Sequence, residues 1–181
     1  MFPSHDQEQG ISSCQWALKR MAYNGFYPTY ITTVTMTKDE KLAALWMMAA
    51  KHDILIIDNA AHFVADFNDV RLCEEFVDTL KQIKRTTNTS ILCVLHENKG
   101  NDYAKGHLGS LLRQVAFWIA KVSREGSVHT FEPVECREAT LPTIEFGYDF
   151  KSTNGVGHLL QGKKRRRLGM DHTVIQNCIH L

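Results

Sequence analysis

This sequence lacks the features that mark a membrane-bound, secreted or zinc-stabilised protein. No apolar run approaches the roughly 18 residues needed to span a bilayer, so no membrane partner is expected. Residues 1–10, MFPSHDQEQG, lack the basic and then apolar layout of a signal peptide, which predicts a cytoplasmic protein. The five cysteines are scattered and form no CxxC pair. We therefore expect buried free thiols rather than a disulfide framework or a structural zinc site.

The composition suits one globular domain whose charge is unevenly spread. A chain of 181 residues with 44% hydrophobic and 23% charged residues can bury a sizeable core. It carries 21 cations and 20 acids, but residues 151–181 hold six of the cations and one acid. Residues 1–150 are therefore mildly acidic. We divide the chain into a folded domain over 1–150 and a basic C-terminal tail over 151–181.

Hydrophobic periodicity predicts alternating helices and strands up to residue 96, and strands alone after residue 114. Apolar residues at helical spacing predict helices over residues 11–26, 37–52 and 69–86. The first is expected to stop at Asn24-Gly25, and the second to begin at a threonine cap. Apolar or β-branched runs predict strands over residues 27–36, 54–58, 90–96, 115–123, 127–137 and 143–150.

This order of elements favours an α/β fold. Continuous apolar strands that alternate with amphipathic helices are typical of a parallel sheet covered on both faces. The three later strands follow one another through short polar turns, which is typical of antiparallel pairing. We expect a mostly parallel sheet flanked by helices, with antiparallel strands added at the C-terminal side.

Two of the predicted strands end in side chains that can bind a ligand or take part in catalysis. Asp58 follows the aliphatic run Ile54 to Ile57, and His96 ends the run SILCVLH. His96 also opens a polar loop over residues 96–110, HENKGNDYAKGHLGS, which suits a ligand better than packing. Ligands of open α/β sheets bind at the carboxyl ends of the strands. The alternative is that Asp58 is only the first polar residue outside the core.

At these strand ends the sequence resembles the RecA-like ATPases, in particular the RepA-like helicase ATPases of plasmids and mobilizable transposons. Residues 53–69, DILIIDNAAHFVADFND, resemble the strand that ends in the Walker B aspartate. Residues 90–110 resemble the next strand and its H-x-N-K-G sensor loop. Residues 5–10, HDQEQG, resemble the D-T-E-Q-S segment whose glutamate orients the attacking water. The resemblance covers residues 6–150 and implies a RecA-like fold.

The resemblance implies a set of site residues, with ATP and Mg²⁺ as cofactors. Asp58 would contact the magnesium ion mostly through water, because this cation keeps several waters. Glu8 would position the attacking water, since phosphoryl transfer depends on positioning and charge stabilisation. His96 would sense the γ-phosphate, and Lys99 and Lys105 would reach phosphate of the nucleotide or of a neighbouring subunit. The alternative for Glu8, Lys99 and Lys105 is that they are exposed charges.

The sequence departs from that family at the phosphate-binding loop. The family places G-x-x-x-x-G-K-[ST] before the glutamate segment, whereas this chain begins at that segment. The string GHLLQGKK, residues 157–164, imitates the motif but has lysine in the Ser/Thr position and no strand before it. We therefore expect a domain truncated at the N-terminus that does not hydrolyse ATP alone. A RecA-like domain without its first strand and helix would expose a sheet edge. We expect this edge to be covered by self-association, by the tail folding back, or by a partner chain.

The basic tail adds a second candidate interface. Five consecutive cations attract phosphate backbones without sequence specificity: Lys163, Lys164, Arg165, Arg166 and Arg167. The alternative is a solvated tail.

Two functional hypotheses follow from these patterns. The first is an ATPase-family protein of a mobile element that acts in DNA replication or mobilization. The second is a non-enzymatic DNA-binding or assembly module that reuses the fold. A third, an unrelated enzyme with His96 and Glu97 as acid and base, is weakened because no G-x-S-x-G nucleophile motif accompanies them.

Overall fold

Helices and strands alternate through the first part of the chain, and strands dominate the second part. The computed structural model describes residues 10–96, 106–138, 141–151, 158–161 and 176–180, of which residues 10–14, 158–161 and 176–180 are described by their backbone only. The helices are α1 (Gly10–Tyr23), α2 (Lys38–Ala49), α3 (Val70–Thr87) and α4 (Gly106–Val115). The strands are β1 (Ile54–Asp58), β2 (Ser90–His96), β3 (Trp118–Glu125), β4 (Val128–Cys136), β5 (Ile144–Asp149), β6 (His158–Gln161) and β7 (Gln176–His180). A 3-10 turn, Ala60–Phe63, follows β1.

Local sequence signals fix the ends of the helices. The cap predicted at Thr37 is confirmed as a capping box, in which the Thr37 side chain accepts from the Glu40 N–H and the Glu40 carboxylate accepts from the Thr37 N–H. Asp69 caps α3 in the same sense, by accepting from the N–H of Leu72. Asn88 ends α3 with a φ of 56°, in the left-handed region where asparagine is tolerated.

The described strands form one seven-stranded sheet in the order β1-β2-β7-β3-β4-β5-β6. The α/β class and the antiparallel strands at the C-terminal side are confirmed, but the expectation of a mostly parallel sheet is wrong. Only β1 and β2 pair in parallel, and every other pairing in the described sheet is antiparallel. The expectation fails because β3 to β6 pair antiparallel in succession, and because β7, a tail segment, enters between β2 and β3 and runs against both.

The strand predicted over residues 27–36 is also wrong. The segment is rich in β-branched and aromatic residues, but Thr33 is its one buried residue and it joins no strand of the described sheet. A strand is stabilised by neighbours and by a buried face, so this composition alone is not sufficient. The predicted loop over 96–110 is shorter than expected as well, because α4 begins at Gly106.

The sheet has two faces that differ in what covers them. The core face is packed against α2, α3 and α4, and its strand residues belong to the same hydrophobic cluster as the buried side chains of those helices. These strand residues are Leu55, Ile57, Ile91, Cys93, Leu95 and Ile119. The register places the alternate residues on the opposite face, which we call the Asp58 face. It carries Asp58, Val94, His96, Ala120 and Val122.

Helix α1 lies on the Asp58 face. The pairing of β3, β4 and β5 brings Val122, Phe131, His129 and Phe146 to this face. Tyr148 and Phe150 follow Phe146 at the two-residue period of a strand, and the Arg20 guanidinium of α1 lies 4.8 Å from the Tyr148 ring centroid and 5.3 Å from that of Phe150. Helices therefore flank both faces, as the sequence predicts. Among the described residues, no helix is long and apolar enough to cross a membrane.

Candidate functional site

The two strand-end residues singled out from the sequence lie on the same face and at the same end of adjacent parallel strands. Asp58 is the register partner of Val94, and His96 lies two residues further along β2. With strands about 4.8 Å apart and a rise of about 3.3 Å per residue, the Cα atoms of Asp58 and His96 are about 8 Å apart. Both residues are half-buried, and the Oδ1 atom of Asp58 and the Nε2 atom of His96 are buried. The strand register thus brings a carboxylate and an imidazole to the same end of the sheet.

The chain beyond Asp58 is held by a compact turn. The Asn59 side chain, which is buried, accepts a hydrogen bond of 3.0 Å from the Ala61 N–H and so caps the 3-10 turn. The carbonyl of His62 in this turn accepts a hydrogen bond of 2.9 Å from Lys41 Nζ of α2. These contacts fix the direction in which the backbone leaves β1. Asp58 is therefore carried on an ordered strand end rather than on a free loop.

The loop that follows His96 returns to the segment that follows Asp58. Gly106, where α4 begins, has a φ of +61°, and a Cβ there would lie 2.5 Å from Asn68 Oδ1 and 2.7 Å from the Phe67 carbonyl oxygen. The Leu108 N–H donates a hydrogen bond of 3.2 Å to that Phe67 carbonyl. Only glycine fits such a close backbone approach without displacement. His96 and Gly106, the described residues on either side of residues 97–105, thus lie beside Asp58 and against the loop that Asp58 opens.

The cysteines near this site are structural. Cys93 lies on β2, is fully buried, and burial raises the pKa of its thiol to about 12. Burial also raises the pKa of Cys73, and Asp69 and Asp66 add to the shift. Both thiols are free and buried, as predicted, while Cys136 is free and half-buried. A protonated buried thiol is a poor nucleophile, so neither Cys73 nor Cys93 is a candidate reactive group.

The described residues alone do not form a metal site. In the part of the chain that the structure describes, no group of three or more His, Cys, Asp or Glu side chains is placed to hold a metal ion. Asp58 supplies a single carboxylate. This donor set fits Mg²⁺ that is held through water and nucleotide phosphates, because that ion commonly uses one or two carboxylates together with substrate oxygens. It does not fit a metal centre made by the described residues alone.

Most of the other residues expected at the site lie outside the described residues. These are Glu8, Glu97, Lys99, Lys105 and the five tail cations Lys163, Lys164, Arg165, Arg166 and Arg167. Of the expected site, the structure therefore brings together Asp58 and His96. Lys99 and Lys105 fall within the segment 97–105, both of whose ends are fixed beside the Asp58 loop.

The structure adds an aromatic group that the sequence reasoning did not assign to the site. On the Asp58 face, His129 stacks on Phe146 at 5.2 Å between ring centroids and meets Tyr148 edge-on at 5.6 Å. Burial lowers the pKa of His129, and the positive charges of Arg124 and Arg20 lower it further. The ring is therefore neutral at pH 7 and serves as an aromatic group. The alternation Phe146-x-Tyr148-x-Phe150 was visible in the sequence, but its face could be known only from the strand register.

The comparisons with known proteins do not assign this chain to a family. No protein-family model matches the sequence, and no match was found among the curated proteins or the solved structures. Function is therefore argued from the residues and their geometry.

Proposed function

We propose that this chain is a RecA-like ATPase-family protein of a mobile element, which acts with DNA in replication or mobilization. The observation that carries the proposal is the shared position of Asp58 and His96 at the ends of the two parallel strands. A carboxylate beside a second polar residue at that end of an α/β sheet suits a magnesium nucleotide. The likeness of residues 53–69 and 90–110 to the Walker B and sensor segments of helicase ATPases supports the same function.

In this proposal each residue has a defined role. Asp58 orients the waters of a magnesium ion that accompanies ATP, and His96 contacts the γ-phosphate and transmits its presence to the loop over 97–105. Lys99 and Lys105 neutralise phosphate, and Glu8 positions the attacking water. Because the 181 residues contain no G-x-x-x-x-G-K-[ST] string, the phosphates lack their usual cradle of backbone N–H groups. ATP is therefore bound weakly and is not hydrolysed by this chain alone.

Titration with a fluorescent ATP analogue tests the proposal. We expect magnesium-dependent binding with a dissociation constant on the order of micromolar, which Asp58→Ala weakens about 10- to 100-fold because the magnesium waters lose their acceptor. The matched control is Asp53→Ala, which removes an exposed carboxylate just before the start of the same strand. His96→Ala should abolish the preference for ATP over ADP. If nucleotide binding is absent, or is equal in wild type and Asp58→Ala, the ATPase proposal is wrong.

The second candidate function is a non-enzymatic DNA-binding or assembly module. It is favoured by the run of five cations over residues 163–167, which attracts phosphate backbones. Salt-sensitive DNA binding without any magnesium-dependent nucleotide binding would support this candidate over the first.

A further inference from the structure

The described part of α1 differs from the other helices because it buries no side chain. Over residues 15–23 every side chain is exposed or half-buried, whereas α2, α3 and α4 each contribute several buried residues to the core. Large aromatic side chains are left in solvent along this helix and just after it: Trp16 is 47% exposed, Tyr23 51%, Phe26 61% and Tyr27 84%. A cluster of exposed aromatics of this size commonly marks an interaction surface.

Aromatic and cationic side chains alternate on one side of α1. Residues three, four and seven apart share a helix face, so Trp16, Lys19, Arg20 and Tyr23 lie within one stripe. Lys19 Nζ lies 5.2 Å from the Trp16 ring centroid, and Arg20 stacks over Tyr148 of β5 and over Phe150, which follows that strand. The stripe thus continues from the helix onto the aromatic residues of the sheet, of which Phe150 is 45% exposed.

The end of α1 holds the next two aromatics outward. Gly25 has a φ of +85°, the Phe26 N–H donates to the Met21 carbonyl, and the Gly25 N–H donates to the Ala22 carbonyl. These two bonds form a Schellman motif, in which the residue after glycine commonly packs back on the last helical turn. Here Phe26 remains largely exposed instead. The motif therefore presents Phe26 and Tyr27 at a fixed position beyond the stripe.

The charge of α1 and of the segments on either side of it favours an anionic partner. Residues 9–38 contain the three cations Lys19, Arg20 and Lys38 and no acid, although residues 1–150 as a whole have more acids than cations. On β5 the acids Glu145 and Asp149 alternate with the aromatics and belong to the opposite face of the sheet. Flat aromatic rings interleaved with cations, and without acids, match bases and phosphates of a single strand. The occupant that these features favour is therefore a nucleic-acid strand, and a contact between two copies of the chain is an outcome that the test separates.

We infer that the α1 stripe, together with Phe26, Tyr27, Tyr148 and Phe150, is a stacking surface for single-stranded DNA. Trp16 and Tyr23 are seven residues apart, about 10 Å along the helix axis, which is the length of about three stacked nucleotides. The rings stack on bases of any identity, and Lys19 and Arg20 contact the intervening phosphates. The surface therefore binds single strands without sequence readout and prefers them to a duplex, in which the faces of the bases are hidden.

This surface shares a face and an end of the sheet with Asp58 and His96. The register aligns His96 of β2 with Val122 of β3, and Arg124, two residues further, aligns with His129 and Phe146. Four strand spacings separate β2 from β5, so the aromatic group lies about 19 Å from His96 across the sheet. A single strand on the surface therefore runs on the same side of the molecule as the candidate nucleotide site, while remaining outside it.

Fluorescence anisotropy with a labelled oligo-dT and a duplex of equal length tests the inference. We expect wild type to prefer the single strand, and Trp16→Leu and Tyr27→Leu each to weaken oligo-dT binding roughly 5- to 150-fold, the range for loss of one stacked base. Trp16→Phe and Tyr27→Phe keep a stacking ring and should retain most of the affinity. Met47→Leu is the matched control, because Met47 is 45% exposed but lies on α2, against the other face of the sheet.

The outcome can be separated from that of the ATP titration. Binding to oligo-dT should persist without ATP and in Asp58→Ala, so failure of the nucleotide proposal leaves this result unchanged. The inference is overturned if the leucine variants bind oligo-dT as wild type does, or if single strand and duplex bind equally and added salt abolishes both, which would assign binding to the charged tail. A change in oligomeric state of the leucine variants by light scattering, without a change in DNA binding, would instead assign the surface to a contact between copies and also overturn it.

Discussion

At the scale of single residues, Gly106 connects the fold to the candidate site. Its backbone has a positive φ and lies against Phe67 and Asn68, and this contact fixes where α4 begins. Gly126, in the turn between β3 and β4, has nearly the same φ, +58°, but nothing lies within 4 Å of the position of a Cβ. Substitution of the two glycines therefore separates the free-energy cost of a left-handed backbone from the cost of a steric contact.

We predict that Gly106→Ala lowers the free energy of unfolding by more than Gly126→Ala does. Gly126→Ala should cost about 1–2 kcal/mol, because it adds only left-handed strain. Gly106→Ala should cost that amount and about 1–3 kcal/mol more, because the new methyl group overlaps backbone and displaces α4. Urea denaturation of both variants measures the difference. Equal losses would mean that the contact with Asn68 and Phe67 is not a constraint on the folded chain.

At the scale of elements, periodicity identified the helices better than it identified their buried faces. All three predicted helices are present. On α3, Val70 has the helical spacing of the buried Cys73 and Val77 but is exposed, and Phe76 is buried against Phe63. On α2, Leu45 and Ala49 are buried together with Ala44 and Met48. The reason is that a helix face is about 100° wide, so the spacing of residues leaves its edges undefined until the neighbours are placed.

The capping box of α2 gives a prediction at this scale. Thr37→Ala should lower the free energy of unfolding by about 0.5–2 kcal/mol, because the first turn of α2 loses the acceptor for the Glu40 N–H. Hydrogen bonds from the backbone and side chain of Thr37 also lower the pKa of Glu40. The hydroxyl bond is lost in the variant, so its Glu40 pKa should move up toward the usual value in a carboxyl NMR titration. Thr35→Ala, two residues earlier and exposed, is the control and should change stability little. A loss as large in Thr35→Ala would show that the cap is not the cause.

At the scale of the whole molecule, the tail strand β7 joins the parallel and antiparallel parts of the sheet. It pairs with β2 on one side and with β3 on the other. It therefore separates the strands that carry Asp58 and His96 from the strands that carry the aromatic residues. Two segments of the tail, β6 and β7, fold back into the described sheet, whose edges are β1 and β6. The expected covering of an exposed edge by the tail, by a second copy or by a partner chain stays a prediction. The chain past residue 151 thus provides structure as well as the cations of residues 163–167.

We predict that Ile179→Pro destabilises the protein more than Leu160→Pro does. Ile179 is paired on both sides, with Cys93 and Ile119, so a proline removes a ladder hydrogen bond inside the sheet and leaves a buried carbonyl without its donor, at about 1–3 kcal/mol. Leu160 lies on β6 at the edge of the described sheet and is paired with Gly147 alone. Thermal unfolding followed by circular dichroism compares the two variants. Similar melting temperatures would argue against a central position for β7.

The amino-acid sequence by itself determined what depends on local interactions. Apolar runs and helical spacing were sufficient to predict β1, β2 and α3. Asn24-Gly25 and Thr37 were sufficient to predict helix ends. The positions at the ends of strands were sufficient to select Asp58 and His96. Tertiary structure alone decided the features that depend on distant partners. Antiparallel pairing of β3 to β6, and of residues 176–180 with β2 and β3, made the described sheet mostly antiparallel. Residues 27–36 pair with no strand of the described sheet and have no strand structure. The strand register also placed the aromatic residues of β5 on the same face as Asp58, because a one-residue shift in pairing would have turned them to the other side.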